Sequence, residues 1–298
     1  MRVLVTGGAG FIGTNLIKRL LKDGHEVISV DNYSTGKIEN QQEGCKYYYK
    51  DLSNSQWWAL WDDCFCEVSC DCQIEEPDVI FHLAALARIQ PSFKNPQEVF
   101  EVNTLGTQNA LDYARERNIP VVYAGSSSTH GDHYANPYTI TKWQGELLCE
   151  MYNKVFNLPT TICRFYNVYG PHQILDGAYA AVIGIFESQY ISGKTLTVTG
   201  DGEQRRDFTH VDDIIDGLVK CATNMDVASG KIFELGRGTN HSIIEITKMF
   251  GQSEVEYLPK RPGEMRVTLC ESLEARELLG WTPKIDIEDY IKSFLKTS

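Results

Sequence analysis

The chain has 298 residues, 42 % of them hydrophobic and 23 % charged, with a formal net charge of −12. That length allows one large domain or two smaller ones around a sizeable core. The acidic balance argues against nucleic acid or an anionic membrane as the main partner, yet leaves room for a small anionic substrate held by a local arginine pair.

MRVLVTG at the start reads as a strand rather than a signal peptide, and no apolar run is long enough to cross a bilayer. A cytoplasmic protein is the expectation. RVLVT (2–6) leads into NLIKRLLKDG (15–24), a helical pattern closing on Asp23-Gly24 as a glycine cap. EVISVD (26–31), YYYKD (47–51), DVIFHLA (78–84), VVYAGS (121–126) and TTICRF (160–165) read as further strands. VNTLGTQNALDYARER (102–117) and YTITKWQGELLCEMYNKVF (138–156) read as helices between them. This alternation implies right-handed crossovers and an α/β fold with a Rossmann-type, doubly wound parallel sheet.

After Asn167 the elements shorten and Gly and Pro become more frequent. The division expected is a sheet domain over 1–166 and a smaller C-terminal α/β substrate-binding domain over 167–298. Segment 204–228, carrying the helical HVDDIIDGLVKCA, returns to the sheet with Asp212 or Asp213 in its first turn.

Nine cysteines are present, four of them clustered as Cys64, Cys66, Cys70 and Cys72. Their spacing matches no common C-x2-C knuckle, so packing of small apolar thiols is preferred to a metal site.

Gly7, Gly10 and Gly13 follow the first strand directly and open a helix. Glycine there serves a tight turn, a close backbone approach to a pyrophosphate, and close helix–strand packing. Asp31 ends the second strand about twenty residues later, where a carboxylate accepts ribose hydroxyls and repels a 2′-phosphate. NAD is therefore expected rather than NADP. Asp51 closes the third strand on the same edge and reads either as an adenine contact or as a helix cap. His82, at the end of the fourth strand, reads as a core histidine.

The pattern Y-x3-K occurs three times, at Tyr33/Lys37, Tyr138/Lys142 and Tyr190/Lys194. Only Tyr138 and Lys142 fall on a long helix after the fifth strand, sharing a face at i and i+4. A free phenol has a pKa of about 10, and a nearby cation favours its ionised, basic form. Ser126, Ser127, Ser128 and Thr129 all compete to share the proton.

GGAGFIG, DNYSTG (31–36), HLAA (82–85), VNTLGT (102–107), YTITK and RFYNVYGP (164–171) together resemble the extended short-chain dehydrogenase/reductase family. YAAVI (179–183), GDGEQRRDFTHVDD (200–213), KRPGE (260–264) and LLGWTPK (278–284) extend the likeness, which is greatest to the nucleotide-sugar 4-epimerases. The resemblance singles out Ser126 as the third catalytic residue beside Tyr138 and Lys142. It implies Phe11 and Ile12 at the pyrophosphate, and Asp31, Asn32, Tyr33, Ser34, Thr35 and Gly36 around the ribose. Asp51 and Leu52 would lie at the adenine, and Leu83, Ala84, Ala85 and Ala87 along the middle of NAD. Asn103, Ser126, Tyr138, Lys142 and Tyr166 would surround the nicotinamide. Ser126, Tyr138, Asn167, Val182, Arg206, Arg261 and Glu264 would contact a nucleotide-diphosphate sugar, a UDP-linked one being the expectation.

In the dehydratases and decarboxylases of that family an acidic residue follows the catalytic hydroxyl; here Ser127 and Ser128 stand there. The loop GDHYAN is short and His130 replaces a common tyrosine, which implies an open sugar pocket tolerant of bulky sugars such as 2-acetamido ones. A homodimer through helices at roughly 97–117 and 138–156 is also implied.

Overall fold

The computed structural model describes residues 1–57 and 76–297. The cluster from Cys64 to Cys72 lies outside the described residues. In chain order the first strands and helices are β1 (Arg2–Thr6), α1 (Phe11–Lys22), β2 (Glu26–Asp31), β3 (Cys45–Tyr49) and β4 (Val79–His82). Then come α2 (Ile89–Lys94), α3 (Pro96–Phe100), α4 (Gly106–Arg117), β5 (Val121–Ser126), α5 (Pro137–Phe156) and β6 (Thr160–Phe165). The C-terminal part holds β7 (Val168–Tyr169), α6 (Val182–Ile191), β8 (Leu196–Thr199), β9 (Arg205–Asp207), β10 (Thr209–His210) and α7 (Val211–Thr223). It ends with α8 (Met225–Ala228), β11 (Ile232–Leu235), β12 (Asn240–Ser242), α9 (Ile243–Met249), β13 (Val255–Leu258), α10 (Glu274–Leu279) and α11 (Ile287–Thr297).

Seven strands form one parallel sheet in the order β11-β6-β5-β4-β1-β2-β3. Both faces are covered, which is why β1, β4 and β5 are almost continuously buried and apolar. Leu16, Ile17 and Leu20 of α1 share one core with Ile214, Ile215 and Leu218 of α7. On the opposite face Leu111 and Ala114 of α4 pack with Cys149 and Tyr152 of α5. A third core, around Tyr169, Phe186, Phe208 and Phe250, belongs to the C-terminal part.

The chain returns to the sheet after residue 166 through α7 and again through β11, whose Ile232 pairs with Ile162. The strand IFEL at 232–235 is absent from the sequence-based reading, being only four residues long. Asp212 and Asp213 both lie in the first turn of α7. Asp213 is buried and its carboxylate accepts the Lys284 and Ile285 amides at 2.9 and 3.0 Å, so it anchors a loop. β1 has β2 on one side and β4 on the other, and the crevice between their C-terminal ends is where such sheets hold ligands. Among the described residues no helix is long and apolar enough to cross a membrane.

Candidate active site

The cleft at that crevice has about 1150 Å³ of empty volume, its open mouth included. Gly7 turns the chain at φ +74°, and a Cβ there would lie 2.8 Å from the Ala84 nitrogen. A Cβ at Gly13 would lie 2.2 Å from the Gly7 carbonyl oxygen, so α1 can approach β1 only through glycine. Gly10 differs: its Cβ would meet only the Gly7 oxygen, at 3.3 Å, and would otherwise project into open space. Gly10 and the first-turn residues Phe11 and Ile12 line the cleft. Their first-turn amides have no intrahelical acceptor and offer positive ends of dipoles to an anion. This cradle fits a pyrophosphate.

Asp31 lies on the cleft wall, its carboxylate accepting the Ala9 amide at 2.9 Å and the Tyr33 amide at 2.7 Å. Burial pushes its pKa up, and those two hydrogen bonds oppose the rise. Asp51 also lines the cleft, accepts from the Asn32 amide at 3.0 Å, and caps the turn at Ser53. Of the two sequence readings of Asp51, the cap is the one these hydrogen bonds show, at the turn around Ser53. Tyr33 (φ +55°) faces Tyr49 with ring centroids 6.1 Å apart, and Gly36 packs on Ala9. Of the expected cofactor residues, Tyr33, Gly36, Asn103, Ser126 and Tyr166 stand off the cleft wall and the others line it.

At the far end α5 begins on Pro137, with the Asn136 side chain capping the Thr139 amide at 2.8 Å. The helix places Tyr138, Lys142 and Glu146 on one face. The Tyr138 hydroxyl donates to Ser126 Oγ at 3.2 Å, and that oxygen also accepts the Ser128 amide at 3.2 Å. Burial pushes the Tyr138 phenol above its usual pKa, against the Ser126 hydrogen bond and the charge of Arg88. Lys142 is 4 % exposed, and its ammonium sits 4.3 Å from the Tyr123 ring centroid. Burial pulls its pKa down to about 8, with Glu146 opposing. Glu146 is buried and pairs with Arg164 at 2.7 Å. Arg164 reaches Glu234 at 3.3 Å, and Glu234 also accepts from the Tyr166 hydroxyl and pairs with His130. Tyr166 and His130 therefore share Glu234 as a partner, and neither lines the cleft.

Asn103 lies in a π-helical turn, Glu101–Leu105, ahead of α4. Its buried amide clamps the Leu86 backbone on both sides and donates to Thr141, tying the loop after β4 to α5. His82 bridges Thr6 and Thr107 at 2.8 and 3.0 Å, and burial together with Lys142 pulls its pKa to about 3. It is a neutral core residue, as the sequence suggested.

Arg88 escaped the sequence reading. It follows the HLAA segment, lines the cleft with Tyr138, and donates to the carbonyls of Tyr179 (2.7 Å) and Ala87 (2.9 Å). Its only sequence signal is one cation in the otherwise apolar stretch LAALARI (83–89).

On the substrate side Glu264 joins Arg206 at 3.7 Å and Arg261 at 4.0 Å. Asn167 adopts φ +26° and donates to the Asp207 carbonyl and Thr268, both at 3.0 Å. Val182 starts α6 and packs against the third core. None of these five lines the glycine-loop cleft.

The model of the NAD dependent epimerase/dehydratase family matches residues 3–236. The chain belongs to that family. Similar proteins include UDP-glucose 4-epimerase of Mycolicibacterium smegmatis, 32 % identical over 98 % of this chain and 96 % of that protein. UDP-glucuronic acid decarboxylase 1 of Xenopus tropicalis is 29 % identical over 97 % of this chain and 70 % of its own length. Among solved structures, UDP-glucose 4-epimerase of Thermotoga maritima with UDP-glucose has a TM-score of 0.90 and 28 % identity, covering 100 % of this chain and 99 % of that one.

Proposed function

We propose that the protein is an NAD-dependent 4-epimerase of a nucleotide-diphosphate sugar, proton and hydride exchange at one carbon being all its site needs. The observation that carries this reading is the Tyr138–Ser126 hydrogen bond beside Lys142, with Ser127 and Ser128 following Ser126 where a second reaction would need a carboxylate. Bound NAD would supply a hydride acceptor that later returns the hydride, and a positive ring beside the phenol. Tyr138 would take the proton of the sugar 4-hydroxyl through Ser126 and give it back after the 4-keto sugar has turned. Lys142 and Arg88 favour the ionised phenol by charge. Asn167, Arg206 and Arg261 would hold the diphosphate, guanidinium forks being suited to phosphate oxygens, and Glu264 the nucleotide ribose.

The same reading places the protein in the cytoplasm as a homodimer. Leu147, Met151 and Val155 recur every four residues on α5 and are exposed, with Phe100 and Leu105 exposed on the adjoining segment. Leu147→Glu should convert a dimer to a monomer in light scattering.

The functional test uses purified protein with UDP-glucose, UDP-galactose and their N-acetylated forms, without added NAD. Interconversion seen by proton NMR, and lowered about 10³-fold in Tyr138→Phe, is the expected result. A 4-keto product that accumulates, absorbing in base, would replace epimerisation with dehydration.

A further inference from the structure

Every other partly buried arginine among the described residues has a carboxylate within 4.0 Å, Arg164, Arg206 and Arg237 being examples. Arg88 has none. Its guanidinium is held by two backbone carbonyls, from Tyr179 and Ala87, and it lines the cleft beside Tyr138. Burial lowers its pKa against the Tyr138 phenol, and its hydrogen-bond partners are neutral carbonyls rather than a carboxylate. Lys142 is a second buried cation at this end, and the carboxylate that supports its charge, Glu146, is already bound to Arg164. A positively charged nicotinamide would add a third. With the cofactor's phosphates assigned to the glycine turn, the charge missing at the Tyr138 end is negative, and the cleft is where it would enter.

We infer that Arg88 recognises a carboxylate on the sugar, making the substrate a nucleotide-linked uronic acid. This rests on the epimerase reading for the orientation of the sugar. Tyr138 serves O4, and C6 is attached to C5, the next ring carbon, so a C6 carboxylate falls on the Tyr138 side of the cleft. The diphosphate leaves from C1, at the opposite end of the ring, toward Arg206 and Arg261, which already share Glu264. Arg88 is thus placed for the sugar's own charge rather than for the phosphates. Its tether to Tyr179 fixes the fork before substrate arrives, so little side-chain entropy is lost on binding.

The test measures dissociation constants by calorimetry on the NAD-loaded protein, with UDP-glucuronate and UDP-galacturonate against UDP-glucose and UDP-galactose, and follows the products by proton NMR. Wild type should bind the uronates at least about 30-fold more tightly. Arg88→Gln keeps a donor for Tyr179 but no charge, and should reduce that ratio to within about threefold; Arg88→Lys should retain part of it. NAD content and melting temperature establish that both variants are folded, and either variant alone suffices. Equal affinity for neutral and acidic sugars in wild type overturns the role of Arg88, and so does a ratio unmoved by substitution. A fall in kcat shared by both sugar classes is expected from the charge of Arg88 on the Tyr138 phenol, and with the binding ratio unmoved it would leave Arg88 that role alone. Uronates bound tightly but released as a nucleotide pentose and carbon dioxide would keep Arg88 and remove the epimerase. Failure of wild type to bind any of the four would remove both.

Discussion

Around the glycine turn the protein's own atoms leave almost no slack, whereas around the sugar end charge is left over. Gly13 and Gly7 meet backbone atoms at distances no side chain tolerates, and Asp31 is already satisfied by two amides. Arg88 has no carboxylate among the described residues, and Arg206 and Arg261 share one. A preformed, internally paired half suits a ligand that stays. An underpaired half suits one that arrives with its own charge and leaves.

The largest effect expected is at the rigid half. Gly13→Ala forces a Cβ to within 2.2 Å of a backbone oxygen and should cost about 3 kcal/mol or more, with loss of retained NAD. Gly10→Ala meets only open space and one oxygen at 3.3 Å. It should melt close to wild type yet bind NAD more weakly. Calorimetric melting and the nucleotide released on denaturation read both. Equal destabilisation by the two substitutions would break the contrast between a packing glycine and a ligand glycine.

Between the halves lies the buried pair Glu146–Arg164. Glu146→Gln leaves Arg164 with Glu234 alone, and loss of one member of a buried pair costs about 3 kcal/mol, measurable by urea unfolding. Glu146 also holds the Lys142 pKa up, so the same substitution should move it below about 8. A variant as stable as wild type would show that the charges at this end are looser than their distances suggest.

His82 gives a smaller, pH-dependent effect on the rigid side. Its ring is neutral when folded, with a pKa pulled from 6.5 to about 3. The unfolded chain takes up a proton below pH 6.5 that the folded chain refuses until about pH 3, so stability falls as pH drops through that window. At pH 5 the loss is about 2 kcal/mol. His82→Gln should flatten this limb of the stability profile, and an unchanged limb would exclude His82 as its source.

The rigid half was legible in the sequence because its chemistry is local. A turn of three glycines and one strand-end aspartate are neighbours along the chain or one crossover apart, and Tyr138 and Lys142 are one helical turn apart. The rest depends on contacts that pattern does not encode. β11 is four residues long and becomes a strand only by pairing with β6. Asn103 sits in a stretch with ordinary helical periodicity, and its π-helical turn, which aims the amide at Leu86, has no signature. Arg88 is set apart by a lack of carboxylates around it among the described residues, which only the folded arrangement shows. Asp213 likewise reads as a helix-dipole residue until the 284–285 loop closes on it.

The smallest effect expected concerns Glu264, where two influences oppose. Its carboxylate competes with phosphate for Arg206 and Arg261, and removing it should strengthen diphosphate binding by less than about 1 kcal/mol, because Arg261 is largely exposed. If it also accepts from the nucleotide ribose, its loss removes a charged hydrogen bond of about 1.5 to 3 kcal/mol. The second influence is the larger, so Glu264→Gln should weaken UDP about tenfold while tightening inorganic pyrophosphate slightly. Calorimetric titration of both probes separates the two. Tighter binding of both would leave Glu264 as a counter-charge alone, and the underpaired half would then be short of a nucleoside contact as well as of a charge.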